Sequence, residues 1–98
     1  MKYTTLNYEG YEQYLVAESF DHFGVPALMY TFTFDNEYGA SIIKHRHSYG
    51  GDEDLFELAV LYNDRVVYDT DIPAINGYLN NDEVIDLMEQ IINLERRD

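Results

Sequence analysis

Two histidines one residue apart, His45 and His47, are the residues of this chain whose type and spacing could do chemistry. Alternate side chains of a strand project from one face, so the two imidazoles could grip one divalent metal. Two ligands fall short of the three or four that a catalytic or structural site needs, and His22 is the only other imidazole. The expectation is of two strand histidines facing water or local acids, with no metal and no cofactor. A metal-dependent enzyme built on His45 and His47 is the alternative.

The same run, Lys44 to His47, is a basic cluster beside Tyr49 and Gly50-Gly51. It could touch a small anion or phosphate, but the loop has neither the Walker spacing nor a dinucleotide fingerprint. The plainer expectation is a solvated edge strand whose charge blocks aggregation. Asp52-Glu53-Asp54 with Glu57, and Asp69 with Asp71, could hold Ca²⁺ or Mg²⁺, yet neither set has the spacing of an EF-hand loop. With 19 Asp and Glu among 98 residues, no carboxylate pair stands out for acid/base work. There is no cysteine, and no serine lies in a nucleophile-elbow context. The chain reads as non-enzymatic.

Ten tyrosines among those acids suit a protein-binding surface, because Tyr gives contact area at low entropic cost and the acids steer toward basic partners. Tyr30 and Tyr68 lie in strand-like runs and are expected in the core, whereas Tyr8, Tyr11, Tyr38, Tyr49 and Tyr78 lie in or near loops. The residues assigned to a partner are Tyr49, Asp52, Glu53 and Asp54, consecutive charges and an aromatic anchor in a glycine-flanked loop.

The elements that must position these groups form one domain, residues 1–98. A formal net charge of −13 on this length repels nucleic acid and anionic membranes and favours a protein partner with a basic surface. A hydrophobic fraction of 46% and only two prolines point to a packed fold despite the charge. The first residues carry no signal-peptide pattern and no run is long enough to span a membrane, so an intracellular home is expected.

Lys2 to Tyr8 suits a strand and Tyr11 to Phe20 a second, although Tyr14 to Ala17 could open a short helix. Asp21 to Ala27, with Gly24 and Pro26, reads as a connection. Leu28 to Phe34 alternates Tyr30, Phe32 and Phe34 with Thr31 and Thr33, the pattern of a half-buried antiparallel strand. Asp35 to Gly39 is a hairpin loop, with Gly39 at positive φ, that returns the chain into a strand from Ala40 to His47. Leu55 to Tyr62, apolar on both faces apart from Glu57, is the central strand. Asn63-Asp64 turns into a strand from Arg65 to Thr70 in a register left open between two-residue and three-residue loops. Asp71 to Tyr78 reads as a loop.

Beyond it Val84, Met88 and Ile91 recur at helical spacing with Ile85, Leu87, Ile92 and Leu94, against a polar stripe through Asp86 and Gln90. Asn80 and Glu83 are spaced as a capping box, Leu79 and Val84 as a hydrophobic staple, and Arg96 and Arg97 suit the negative end of the helix dipole. Together these give an α+β fold: an antiparallel sheet of about five strands with one C-terminal amphipathic helix packed on one face.

Gly39, His45 and His47 are spaced in a way that resembles the first cupin motif, with Asp52 or Glu53 near that family's Glu. The motif's later Gly and its second, His-bearing motif are missing. Tyr38-Gly39-Ala40-Ser41, Ser48-Tyr49-Gly50-Gly51, Leu55 to Val60, Tyr68-Asp69-Thr70 and Gly77-Tyr78-Leu79 resemble a group of small bacteriophage and prophage proteins, over about residues 28 to 95. That resemblance implies an accessory protein acting in the cytoplasm of a bacterial host. The sharper expectation is an inhibitor of a host nucleic-acid-binding or defence protein, of the anti-CRISPR or DNA-mimic kind, which imitates phosphate charge. A virion structural or assembly component is a further alternative.

Overall fold

The computed structural model describes residues 2–97. Four antiparallel strands run in order, β1 (Leu15–His22), β2 (Val25–Thr33), β3 (Tyr38–Lys44) and β4 (Phe56–Tyr62). The far edge of β4 is shared by β5 (Arg65–Val66) at one end and β6 (Ile75–Leu79) at the other, which makes six strands. Helix α1 (Asn81–Ile92) then crosses one face, packed on β3, β4 and β6. This is the expected α+β arrangement, with one strand more.

Strand parity explains the core. Leu28, Tyr30 and Phe32 on β2, Ala40 and Ile42 on β3, and Phe56, Leu58 and Val60 on β4 share one face and are buried. Val84, Met88 and Ile91 of α1 close over it, each fully buried and each contributing roughly 2 kcal/mol of apolar burial. The capping box forms as the sequence predicts: the Asn80 side chain accepts from the Glu83 N–H at 2.9 Å, and the Glu83 carboxylate accepts from the Asn80 N–H at 2.9 Å. Leu79 and Val84 are both buried at the staple position.

Residues 2–8 do not form the expected strand. Their backbone bonds go to side chains instead of a ladder: the Thr4 N–H to Asp54 (2.8 Å), the Leu6 N–H to the Tyr30 hydroxyl (3.1 Å), and the Asn7 N–H to Asn81 (2.7 Å). Leu6 is buried, and Tyr8 meets Tyr30 and Phe32 edge-on at 5.9 and 5.6 Å. The segment is thus a strap across the part of the sheet on the β2 side. A single 3₁₀ turn at Glu12–Tyr14 leads into β1.

Four expected connections and ends are corrected. Asp21 to Ala27 is not a loop, because β1 and β2 continue to a tight turn at Phe23-Gly24, both at positive φ (51° and 78°). Pro26 is tolerated because it pairs with Asp21 beside a bulge, on a part of β2 that β3 does not reach, so the hairpin tip overhangs the sheet. Gly39 lies in β3, and Glu37 (φ 73°) takes the left-handed position; a Cβ on Gly39 would overlap the Phe32 carbonyl oxygen. Asp71 to Tyr78 contains β6, and the ladder from Arg65 stops at Val66. Asn63-Asp64 forms the two-residue loop, pairing Tyr62 with Arg65, with both turn residues at positive φ.

Arg96 and Arg97 do not serve the end of α1, whose last turn holds no basic residue. Arg96 pairs with Glu37 at 3.2 Å, while Arg97 pairs with Asp69 and donates to the Tyr38 hydroxyl at 2.7 Å. The helix end is satisfied from the β2–β3 loop: the Asn36 amide donates to the carbonyls of Ile91 (2.9 Å), Ile92 (3.2 Å) and Leu94 (2.9 Å), and its oxygen accepts from the Tyr38 N–H (3.0 Å). Asn36→Ala is expected to cost about 2 kcal/mol in urea unfolding, since it takes the donor from the Ile92 and Leu94 carbonyls, while that of Ile91 keeps the Leu94 N–H. Asn36→Asp should cost more, because it sets a carboxylate against the negative end of the helix.

Candidate functional site

The expected strand through His47 ends at Lys44 because Ser48 pulls the chain into a turn. Its hydroxyl accepts from the His45 N–H at 3.0 Å and donates to the His45 carbonyl at 2.9 Å, and the His47 N–H donates to His45 Nδ1 at 3.0 Å. His45 and His47 therefore do not share a strand face. Among the described residues no three of His, Asp and Glu converge as a metal would require.

Lys44, expected on a solvated edge, has a side chain only 1% exposed. Its ammonium donates to Asp54 Oδ1 and to the Thr4 carbonyl, each at 2.8 Å, and lies 3.7 Å from the centre of the Phe56 ring. Asp54 also accepts from the Thr4 N–H and hydroxyl at 2.8 and 2.6 Å. Partial burial pushes the Asp54 carboxyl up, but the bonds from Lys44 and Thr4 together outweigh it and hold the group at about 2. Of the three acids assigned to a partner, Asp54 is thus engaged within the molecule, at a left-handed φ of 60° that closes the 3₁₀ turn Gly51–Glu53.

Asp52 and Glu53 are exposed on that turn and form no ion pair among the described residues. Tyr49 is 62% exposed on a fixed backbone: its N–H donates to Glu57 at 2.8 Å and its carbonyl accepts from the Tyr78 N–H at 3.1 Å. Gly77 allows this approach, since a Cβ there would lie 2.5 Å from Tyr49 Cβ. Tyr78 is exposed as well. Two expectations about tyrosines reverse: Tyr38 is buried beneath Arg97, and Tyr68, expected in the core, is 76% exposed because β5 ends before it.

The β1–β2 hairpin has no counterpart among the expected site residues. Val16, Phe20, Phe23, Val25 and Met29 are all exposed on it, Phe23 by 92% at the tip. A cleft bordered by Val25, Pro26, Arg46 and Asp52 joins the hairpin to the acidic turn. A second cleft, about 500 Å³, shares Val25, Pro26 and Arg46 with the first and gathers all three histidines, His22, His45 and His47. The run from Asp21 to Ala27 reads as a loop, so nothing in the sequence brings His22 to this place.

Every carboxyl whose titration is displaced is displaced toward the ionised form: Asp54 as above, Glu37 by its bonds from Arg96 and Tyr62, and Asp69 by its bond from Arg97. Tyr11 is pushed up to about 12 by desolvation and by its bond to Glu89. No helix of the described residues is long and apolar enough to cross a membrane. No known family model, no curated protein and no solved structure matches this chain.

Proposed function

We propose that this chain is a non-enzymatic protein-binding module that inserts the tip of its β1–β2 hairpin into an apolar recess on a partner with a basic surface. The observation that carries this reading is Phe23: a phenylalanine, 92% exposed, at a left-handed turn position where Asn is the favoured residue. A large ring kept in water, at a conformational cost, is accounted for by what it meets in a complex. Asp52, which borders a cleft with Val25 and Pro26 just behind the tip, and its neighbour Glu53 supply the steering charge, and Tyr49 a second anchor. In this reading the protein acts in a bacterial host's cytoplasm as a phage-type accessory protein, as the resemblance implies, and its acidic surface makes it an inhibitor of a host protein. The edge of β1 is not offered for strand pairing with a second copy, because two bulges and the charges of Glu18 and Asp21 interrupt it.

Affinity capture from a bacterial lysate, followed by binding kinetics with the retained protein, tests the reading. Phe23→Asn should raise the stability of the free domain by about 0.5 kcal/mol, since Asn-Gly suits the turn, and yet speed release of the partner at least tenfold. Asp52→Asn with Glu53→Gln should slow association and flatten its salt dependence as the Debye length falls from about 30 Å at 0.01 M to about 10 Å at 0.1 M. Asp54 is left intact in these variants, because changing it would confound binding with folding. Unchanged release by Phe23→Asn would remove the hairpin from the interface.

A further inference from the structure

The second cleft is chemically unlike the rest of the molecule. In a chain with 19 carboxylates, none is among the residues that line it, yet four of the nine Lys, Arg and His side chains are there. Arg46 forms no ion pair among the described residues, although acids outnumber bases about threefold. The rest of its lining is apolar: Val25, Pro26, Ala27 and Met29. Its volume, about 500 Å³, is within the range of sites that hold a small ligand.

The protonation pattern favours donation over metal ligation. Because the His47 N–H donates to His45 Nδ1, the neutral His45 ring carries its proton on Nε2. A metal on Nε2 would require a proton on Nδ1, set directly against the His47 N–H. The nitrogen left for a ligand is a donor. We propose that this cleft binds a small organic anion, a carboxylate or phosphate head on a compact apolar body, with Arg46 and the histidines holding the head and the apolar wall covering the body. The guanidinium fork fits either head, and a neutral or charged imidazole donates in both states. This cleft adjoins the hairpin tip, the His22 ring lying 4.6 Å from that of Phe23, but it rests on different groups, Arg46 and the histidines, and not on the proposed partner.

The full chain is titrated with benzoate, phenyl phosphate, inorganic phosphate, benzyl alcohol and zinc chloride, and the imidazole resonances of His22, His45 and His47 are followed by NMR. Benzoate or phenyl phosphate should shift all three saturably, and Arg46→Gln should weaken that binding about tenfold, the loss expected for a charge-assisted hydrogen bond. Arg46 is exposed, so the variant keeps its fold. Asp52→Asn, which slows partner association in the reading above, should leave the anion affinity equal or tighter, because it removes a like charge beyond Arg46. Benzyl alcohol binding as tightly as benzoate, inorganic phosphate as tightly as phenyl phosphate, or an unchanged affinity in Arg46→Gln would each overturn the proposal. So would the absence of saturable shifts, stoichiometric zinc on the histidines, or loss of anion binding in Asp52→Asn.

Discussion

Replacing Ile91 by Asp is expected to unfold the domain or to destabilise it by about 4 kcal/mol or more, a large part of the stability of a domain this size. Ile91 is fully buried between the helix and the sheet, and a carboxylate there has no partner. The Ile91 carbonyl also accepts from Asn36, so tilting the helix to expose the new charge would break the cap at its end. Two controls isolate the cause. Ile91→Val removes one methylene and should cost about 1 kcal/mol, and Gln90→Asp, on the exposed face one residue earlier, should cost less than about 1 kcal/mol. Thermal and urea unfolding followed by circular dichroism report all three. Unchanged melting in Ile91→Asp would show that the helix does not cover the sheet.

Asp54→Asn is the second large effect, about 3 kcal/mol, and it depends on an asymmetry within the ion pair. The Lys44 side chain is 1% exposed and that of Asp54 41%, so the carboxylate can hydrate when its partner is lost but the ammonium cannot. Lys44→Met, which removes the buried charge, should therefore cost less than Asp54→Asn, about 1 kcal/mol. Asn accepts a left-handed φ readily, so backbone strain does not account for the difference. The same pair gives a pH dependence. The Asp54 carboxyl is depressed to about 2 in the fold and titrates near about 3.9 when unfolded, so its contribution is complete above about pH 4 and is lost as pH falls toward 2. Urea midpoints measured across that interval should fall more steeply for the native chain than for Asp54→Asn. Parallel slopes would remove the pair from acid stability.

Helix α1 was legible in the sequence because its signals are local: the apolar spacing of Val84, Met88 and Ile91 and the Asn80–Glu83 box lie within twelve residues of one another. β4 and the part of β2 from Leu28 on were legible for the same reason, through alternation at Tyr30 and Phe32 and apolar density from Phe56 to Leu61. Lys44 was misjudged by residue type, although Ala40 and Ile42 share its parity and put it on the core face. Parity was the better guide. β6 was hidden by Pro73 and Gly77, which read as loop punctuation, whereas Gly77 serves the approach of Tyr49 from another segment. The strap, the Asn36 cap and the histidine cleft were illegible because each joins residues far apart in sequence, and no local pattern encodes the meeting of His22 with His45 and His47. The acidic turn was visible as charge, but only the fold separates Asp52 and Glu53, free on the surface, from Asp54, bound to Lys44.

The strap also has a consequence for how the chain is made. Thr4 and Asn7 leave the ribosome before their partners Asp54 and Asn81, which lie 50 and 74 residues downstream. At ordinary translation rates the second partner follows after about 4 to 15 seconds. Through that interval the β1–β2 hairpin and then β3 and β4 can form, because each pairs with its neighbour, while the strap still lacks its tie to Asn81 and the apolar face of β3 and β4 lacks α1. The nascent chain therefore passes through a stage in which a growing sheet shows its greasy side to solvent. Only the arrival of α1 ends that exposure.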